Sequence, residues 1–199
     1  MDFWNAITLI TNYILIPGLS YGCQLALGAL GVTLIYTVLR FSNFAHGEFM
    51  SFGAMVSILL MWYFQSLGIS VYPLPTIIIV LPISIIITIS FCLLIDKFCF
   101  SFYRKNNSQS VILLIVSIGV MFFSNGLIRL IIGPDDRNIN DGERFLLKAK
   151  TFKKMFELNE GLAIKMSQSL TIIITLILVT FLFWFLNKTK TGKSMRAYS

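Results

Sequence analysis

Charge is what this chain lacks most. Only 13% of its 199 residues are Asp, Glu, Lys or Arg, about half the share in a soluble globular domain, roughly 25%. Acidic residues are the scarcest, with Asp2, Glu48 and Asp96 the three in the first 130 positions. There is one histidine, His46, and there are three cysteines, Cys23, Cys92 and Cys99. A lone imidazole with so few carboxylates offers neither a metal-ligand cluster nor a paired acid–base site, so no catalytic or metal-binding residue is assigned. The cysteines lie in or beside apolar runs, without the spacing of a zinc site or a disulfide framework, and read as free, membrane-buried thiols. No Lys or Arg precedes Arg40. A secretory leader needs a basic start, so the first apolar segment is expected to stay in the mature protein.

What is abundant is apolar: 56% of residues are hydrophobic and the mean hydropathy is +0.81. Several runs approach the roughly 20 residues that a membrane-spanning helix needs. The expected fold is all-α, a polytopic helical membrane protein with spans at about residues 14–39, 44–64, 76–94, 110–132 and 169–186. These would form a single transmembrane domain. Its net charge of +7 is carried by loops and tail, where Lys and Arg set topology and meet anionic lipid headgroups, so nucleic acid is not an expected partner.

Within this frame, Pro17 suits the first turn of the first span. Gly18, Gly22 and Ala26 recur every fourth residue, a small-residue stripe that lets another helix approach closely. Pro82 predicts a kink in the third span. Residues 96–109 read as a polar connection. The outer loop, 133–168, holds seven basic and six acidic residues. Alternation of Phe156 and Leu158 with Leu162, Ile164 and Met166 about Asn159-Glu160-Gly161 predicts a small β-hairpin there. Lys97, Arg104 and Lys105 in one connection, with Lys188, Lys190, Lys193 and Arg196 in the tail, place those segments on the cytoplasmic side.

Thr191-Gly192-Lys193-Ser194 ends like a phosphate-binding loop, but that pattern requires a glycine where Asn187 stands, and a strand where an apolar helix precedes it. This stretch is therefore not read as a nucleotide site, and the chain is expected to supply no ATP hydrolysis. Asn125 and Arg129, four apart near the end of the fourth span, share a helical face. They either line a path or serve locally, Arg129 snorkelling to the interface while Asn125 bonds a neighbouring helix.

The densest polar stretch is RFSNFAHGEF, Arg40 to Phe49. On a helix Arg40, Asn43 and Gly47 share a face with His46 at its edge, and Glu48 points roughly 200° from His46. That geometry disfavours a direct His46–Glu48 pair, so either the chain bends or each group faces its own partner. A charge at mid-bilayer costs about 2.5–3.5 kcal/mol, so Glu48 belongs near the interface, in a watery cavity, or against a donor from another helix. Two readings stand side by side. One is an interhelical turn with Asn43 as N-cap and Arg40 at a helix C-terminus; the other is the lining of a translocation path.

Residues 25–54, LALGALGVTLIYTVLRFSNFAHGEFMSFGA, resemble the first-helix signature of permease subunits in bacterial branched-chain amino acid ABC transporters. The core from Asn43 to Glu48 matches that signature completely. Ile115 to Gly119 (IVSIG) resembles the family's ATIG segment, and Asn125-Gly126 loosely matches a following Gln-Asn. Thr189 to Ala197 resembles the TxxGxAxRA pattern that opens the ATPase-docking loop at residues 187–199, with Gly192, Arg196 and Ala197 on the matching positions. The resemblance implies a multi-pass protein of the bacterial inner membrane that performs no chemistry and holds no cofactor. ATP would be bound by two cytoplasmic ATPase partners, beside a second permease subunit and a periplasmic solute-binding protein. Family members are longer, so the expectation from length is a truncated form or one completed by a second polypeptide. An ATP-independent channel or secondary transporter using His46 and Glu48, or an inactive membrane fragment, are the alternative readings.

Overall fold

A computed structural model describes residues 3–69, 76–106, 108–135, 137, 145–147 and 161–198. Among them, five helices are long and apolar enough to cross a membrane: Asn5–Leu39, His46–Ser66, Ile77–Lys105, Ser110–Ile132 and Met166–Lys188. The all-α polytopic expectation holds. Two compact units divide the chain, residues 1–30 with 143–199, and residues 31–142.

In the first unit, α1 (Phe3–Ile10) passes through a π-helical turn (Thr11–Leu15) into α2 (Ile16–Leu39), whose residues from Gly31 onward belong to the second unit. The helix thus begins well before the expected residue 14, and Pro17 lies in its interior instead of its first turn. An interior proline has no N–H to give and crowds the carbonyl four residues back, here that of Tyr13. The wider π-turn directly upstream is where the backbone absorbs that conflict. Within this unit Gly18 and Gly22 face open space and Ala26 is exposed.

In the same unit β1 (Phe145–Leu147) pairs antiparallel with β2 (Ile164–Lys165), with an irregular register. Among the described residues the partner of Ile164–Lys165 thus comes from before the expected hairpin turn at Asn159-Glu160-Gly161. Phe156 to Glu160 lie outside the described residues. Ala163 N–H donates to Asn12 Oδ1 at 3.2 Å, tying this segment to the π-turn. Gln168 Oε1 accepts the Lys165 N–H at 3.4 Å, half of a capping box that starts α7 (Met166–Lys188). After Thr189 the chain re-enters a helix, α8 (Lys190–Tyr198).

The second unit contains α3 (His46–Ser66), α4 (Ile77–Ile95) and α6 (Ser110–Ile132). The expected polar connection at 96–109 is largely helical instead. α4 continues through a π-turn (Asp96–Phe100) into α5 (Ser101–Lys105). Two contacts keep this polar stretch wound: Arg104 Nη2 donates to Asp96 Oδ2 at 2.6 Å, and buried Phe100 lies 5.8 Å from Phe41 between ring centroids. Leu113, Ser117, Val120 and Ser124 are the buried positions of α6. Their spacing of four, three and four marks one inward face, and two serines on it allow close approach. Phe91 of α4 stacks on Phe52 at 3.9 Å and meets Phe49 edge-on at 6.2 Å. Contacts Ser57–Ser84 and Phe49–Phe91 make α3 and α4 antiparallel, while Phe44–Ser117 and Glu48–Asn125 make α3 and α6 parallel.

Candidate functional site

The site begins where α2 stops. Arg40 follows the last helical residue with φ +57, the one non-glycine positive φ among the described residues. Glycine usually fills this left-handed cap, and an L-residue there costs about 1–2 kcal/mol. Arg40 N–H still reaches Tyr36 O at 2.9 Å, and its cation stands at the negative end of the helix. Phe41 and Ala45 then turn inward, 3% and 0% exposed.

Asn43 does not cap α3 directly. The helix starts at His46 with Ala45 as N-cap and no side-chain cap bond. Asn43 Oδ1 instead accepts the Ala45 N–H at 3.1 Å, and its carbonyl accepts the His46 N–H at 3.3 Å. The carboxamide closes an Asx turn leading into the helix, because residues 44–45 wind before the α-helical ladder begins. Phe44 N–H donates to Ser117 Oγ at 3.2 Å, and that fully buried hydroxyl donates to Leu114 O at 2.7 Å.

His46 and Glu48 face different partners, one of the two outcomes their spacing allows. The imidazole packs onto Gly31 of α2 so closely that a Cβ at that position would overlap Nε2 and Cε1. Glu48, in the first turn of α3, accepts from Asn125 Nδ2 at 3.0 Å. A carboxylate there is favoured by the helix N-terminus as well as by the amide. Asn125 thus bonds a neighbouring helix, as its local reading requires.

Asn43 and His46 line a cleft of about 740 Å³ between the end of α2, α3 and α4. Gly47 is exposed with nothing near it, and Arg129, one turn beyond Asn125, is exposed. The structure therefore separates the candidates: Asn43 and His46 face the cleft, while Glu48 and Asn125 bond each other on the α6 side. In the other unit, Gly192 lies against the end of α7, where a Cβ would overlap the backbone of Phe185 and Leu186. Its N–H donates to Thr189 Oγ1 at 3.0 Å, and that hydroxyl donates to Phe185 O at 2.7 Å. Arg196 and Ala197 belong to α8.

Sequence reasoning passed over Gly31 and Ser117. Gly31 stood only within the quoted 25–54 stretch, and Ser117 as one letter of a short motif. Among the described residues no three His, Cys, Asp or Glu side chains gather closely enough to hold a metal ion.

These features define a class: a polytopic helical membrane protein whose polar residues converge on a joint between two long helices. Residues 14–199 match the family described as branched-chain amino acid transport system / permease component, and the chain belongs to that family. It is similar to the high-affinity branched-chain amino acid transport system permease protein BraD of Pseudomonas aeruginosa, 27% identical over 183 residues, covering 92% of this chain. The chain spans 57% of the length of that curated relative. No solved structure matches the chain at a significant level.

Proposed function

We propose that the chain acts as the membrane-spanning permease subunit of an ATP-driven importer for branched-chain or related amino acids, forming part of the translocation path. The observation that carries this reading is the joint itself. The NFAHGE stretch and the IVSIG stretch, which separately resemble the permease signature, meet through Phe44 and Ser117, and Asn125 holds Glu48 one turn further on. In this reading the chain performs no chemistry and holds no cofactor. A periplasmic binding protein delivers the solute, a second permease subunit encloses the path, and two cytoplasmic ATPases bind ATP and drive alternating access. Gly192, Arg196 and Ala197 begin the docking segment, which the close approach at Gly192 fixes against the end of α7. The assembly sits in the bacterial inner membrane. Residues 40–45, 96–109 and the tail lie on the cytoplasmic side, and residues 133–168 lie outside.

The test is uptake of labelled L-leucine into vesicles carrying the permease with its cognate ATPases and binding protein. Uptake that requires both ATP and the binding protein is expected. Uptake driven by a proton gradient, with neither present, overturns the assignment.

A further inference from the structure

The cleft of about 740 Å³ falls in the range of about 300–1,000 Å³ usual for small-molecule sites. Its walls are mainly apolar, yet the polar residues in them are ordered. On α4 and the π-turn that continues it, Ser84, Thr88, Cys92 and Asp96 all line the cleft. A spacing of four makes them one stripe along a helical face, about 18 Å long at 1.5 Å per residue. That is more than half of a hydrocarbon core about 30 Å thick.

The facing wall is α3, from which His46, Gly53 and Ser57 line the same cleft. Ser57 Oγ donates to Ser84 Oγ at 2.9 Å across the cleft wall. Gly53 gives Thr88 room, since a Cβ there would stand 3.2 Å from Oγ1. Asp96, paired with Arg104, lines the same cleft as Asn43 and His46.

The hydrogen-bond polarity of the stripe is one-sided. Ser84 donates to Leu81 O at 2.9 Å and Thr88 to Ser84 O at 2.7 Å, so both hydroxyl protons are held by their own helix. Ser84 Oγ already accepts from Ser57, so it is Thr88 that can offer a guest oxygen lone pairs, with the Asp96 carboxylate, paired on one oxygen with Arg104, beyond it. Acceptors along an apolar wall match a solute with an aliphatic body and a head rich in N–H donors. We infer that this cleft is the solute passage, and that the Thr88 and Asp96 oxygens receive the protonated amine of an aliphatic amino acid as it moves along the α4 stripe. This assignment rests on the importer reading and adds to it residues on α4 that the signature stretches do not include. Hydroxyls bonded back to their own helix also serve helix packing; Ser57–Ser84 does so. Half-buried Cys92 distinguishes the two roles, because it belongs to the stripe and carries a thiol.

The experiment uses the assembled importer in vesicles with Cys23→Ser and Cys99→Ser, leaving Cys92 as the thiol of this chain. Modification by a cationic, membrane-impermeant methanethiosulfonate is compared with modification by an apolar maleimide during turnover. Reaction of Cys92 with the cationic reagent, slowed by L-leucine, is expected. Thr88→Val, which keeps shape and removes the acceptor, should lower L-leucine uptake about tenfold with the ATPase still bound. Cys92 inert to the cationic reagent, labelling indifferent to L-leucine, or unchanged uptake by Thr88→Val each overturns the passage. Failure of the unmodified assembly to take up L-leucine with ATP overturns the importer reading instead, a separate result.

Discussion

Replacing Asn125 with Leu removes the donor that Glu48 uses at 3.0 Å and leaves a half-buried carboxylate against an apolar helix. A hydrogen bond to a charged group is worth about 1.5–3 kcal/mol net in soluble proteins. Polar contacts between helices in lipid measure lower, about 1–2 kcal/mol in peptides and about 0.6 on average in double-mutant cycles, because the unfolded chain in the membrane also finds partners. Glu48 is in the first turn of α3, so part of its stabilisation comes from the helix terminus and survives the substitution. Asn125→Leu is therefore expected to cost about 2 kcal/mol, and Glu48→Gln, which keeps an acceptor oxygen for the amide, under about 1 kcal/mol. Replacing both partners by leucine removes the stranded charge. Glu48→Leu with Asn125→Leu should then cost less than the sum of the single changes by about 1–2 kcal/mol. The assay is reversible unfolding of the chain in mixed micelles by sodium dodecyl sulfate titration, followed by far-ultraviolet circular dichroism. Additivity within about 0.3 kcal/mol would refute the claim that this contact braces α3 against α6.

Gly31→Val inserts atoms where the His46 ring already lies and should destabilise by about 1–3 kcal/mol; adding His46→Ala should recover most of that in the same titration, and no recovery would place the clash elsewhere. Gly192→Ala drives a methyl into the backbone at Phe185 and Leu186 and should open the α7–α8 turn, visible as faster proteolysis after Lys190 or Lys193. Arg104→Ala removes an ion pair whose side chains are 35% and 43% exposed, so the loss should stay below about 1 kcal/mol and shrink with added salt; a larger, salt-independent loss would mean the pair is shielded from solvent. Arg40→Gly relieves a left-handed residue and should change stability by no more than about 1 kcal/mol, the lost strain being offset by the looser unfolded chain.

The spans were legible because apolar length is a local property. Residues 110–132 were expected and observed as one helix. The start of the first helix was not legible, since Asn5, Thr8, Thr11 and Asn12 dilute the apolar run. The fold resolves this by burying Asn5 and Thr8 to 7% exposure each and engaging Asn12 with Ala163. Residues 96–105 read as a connection because their charges break the run; Asp96 and Arg104 satisfy each other along the helix, a spacing of eight that local rules do not seek. Alternation correctly marked Ile164 as strand-forming, whereas the choice of Phe145–Leu147 as partner is a long-range matter. The joint divides in the same way. Its polar density was visible, but Ser117 and Asn125 lie 73 and 77 residues from their partners, beyond any local pattern.

A left-handed arginine persists only where its surroundings over-determine the backbone. Here four contacts do so within nine residues: Phe41 on Phe100, Asn43 closing the turn, Phe44 on Ser117, and Glu48 on Asn125. Three of those four anchor the joint to residues outside it. The start of α3 is thus held to α6 by directional bonds, while its other side meets α4 through the Ser57–Ser84 bond, the Phe52–Phe91 stack and a cleft with mainly apolar walls. Apolar contacts are non-directional and tolerate sliding better than hydrogen bonds do. The bonds at the joint are therefore expected to carry stability, and the cleft, in the importer reading, uptake. Substitutions on the two faces should then separate in their effects, those at Ser117 and Asn125 altering stability and those at Thr88 altering uptake. Equal effects of both sets on uptake, at unchanged stability, would contradict that division.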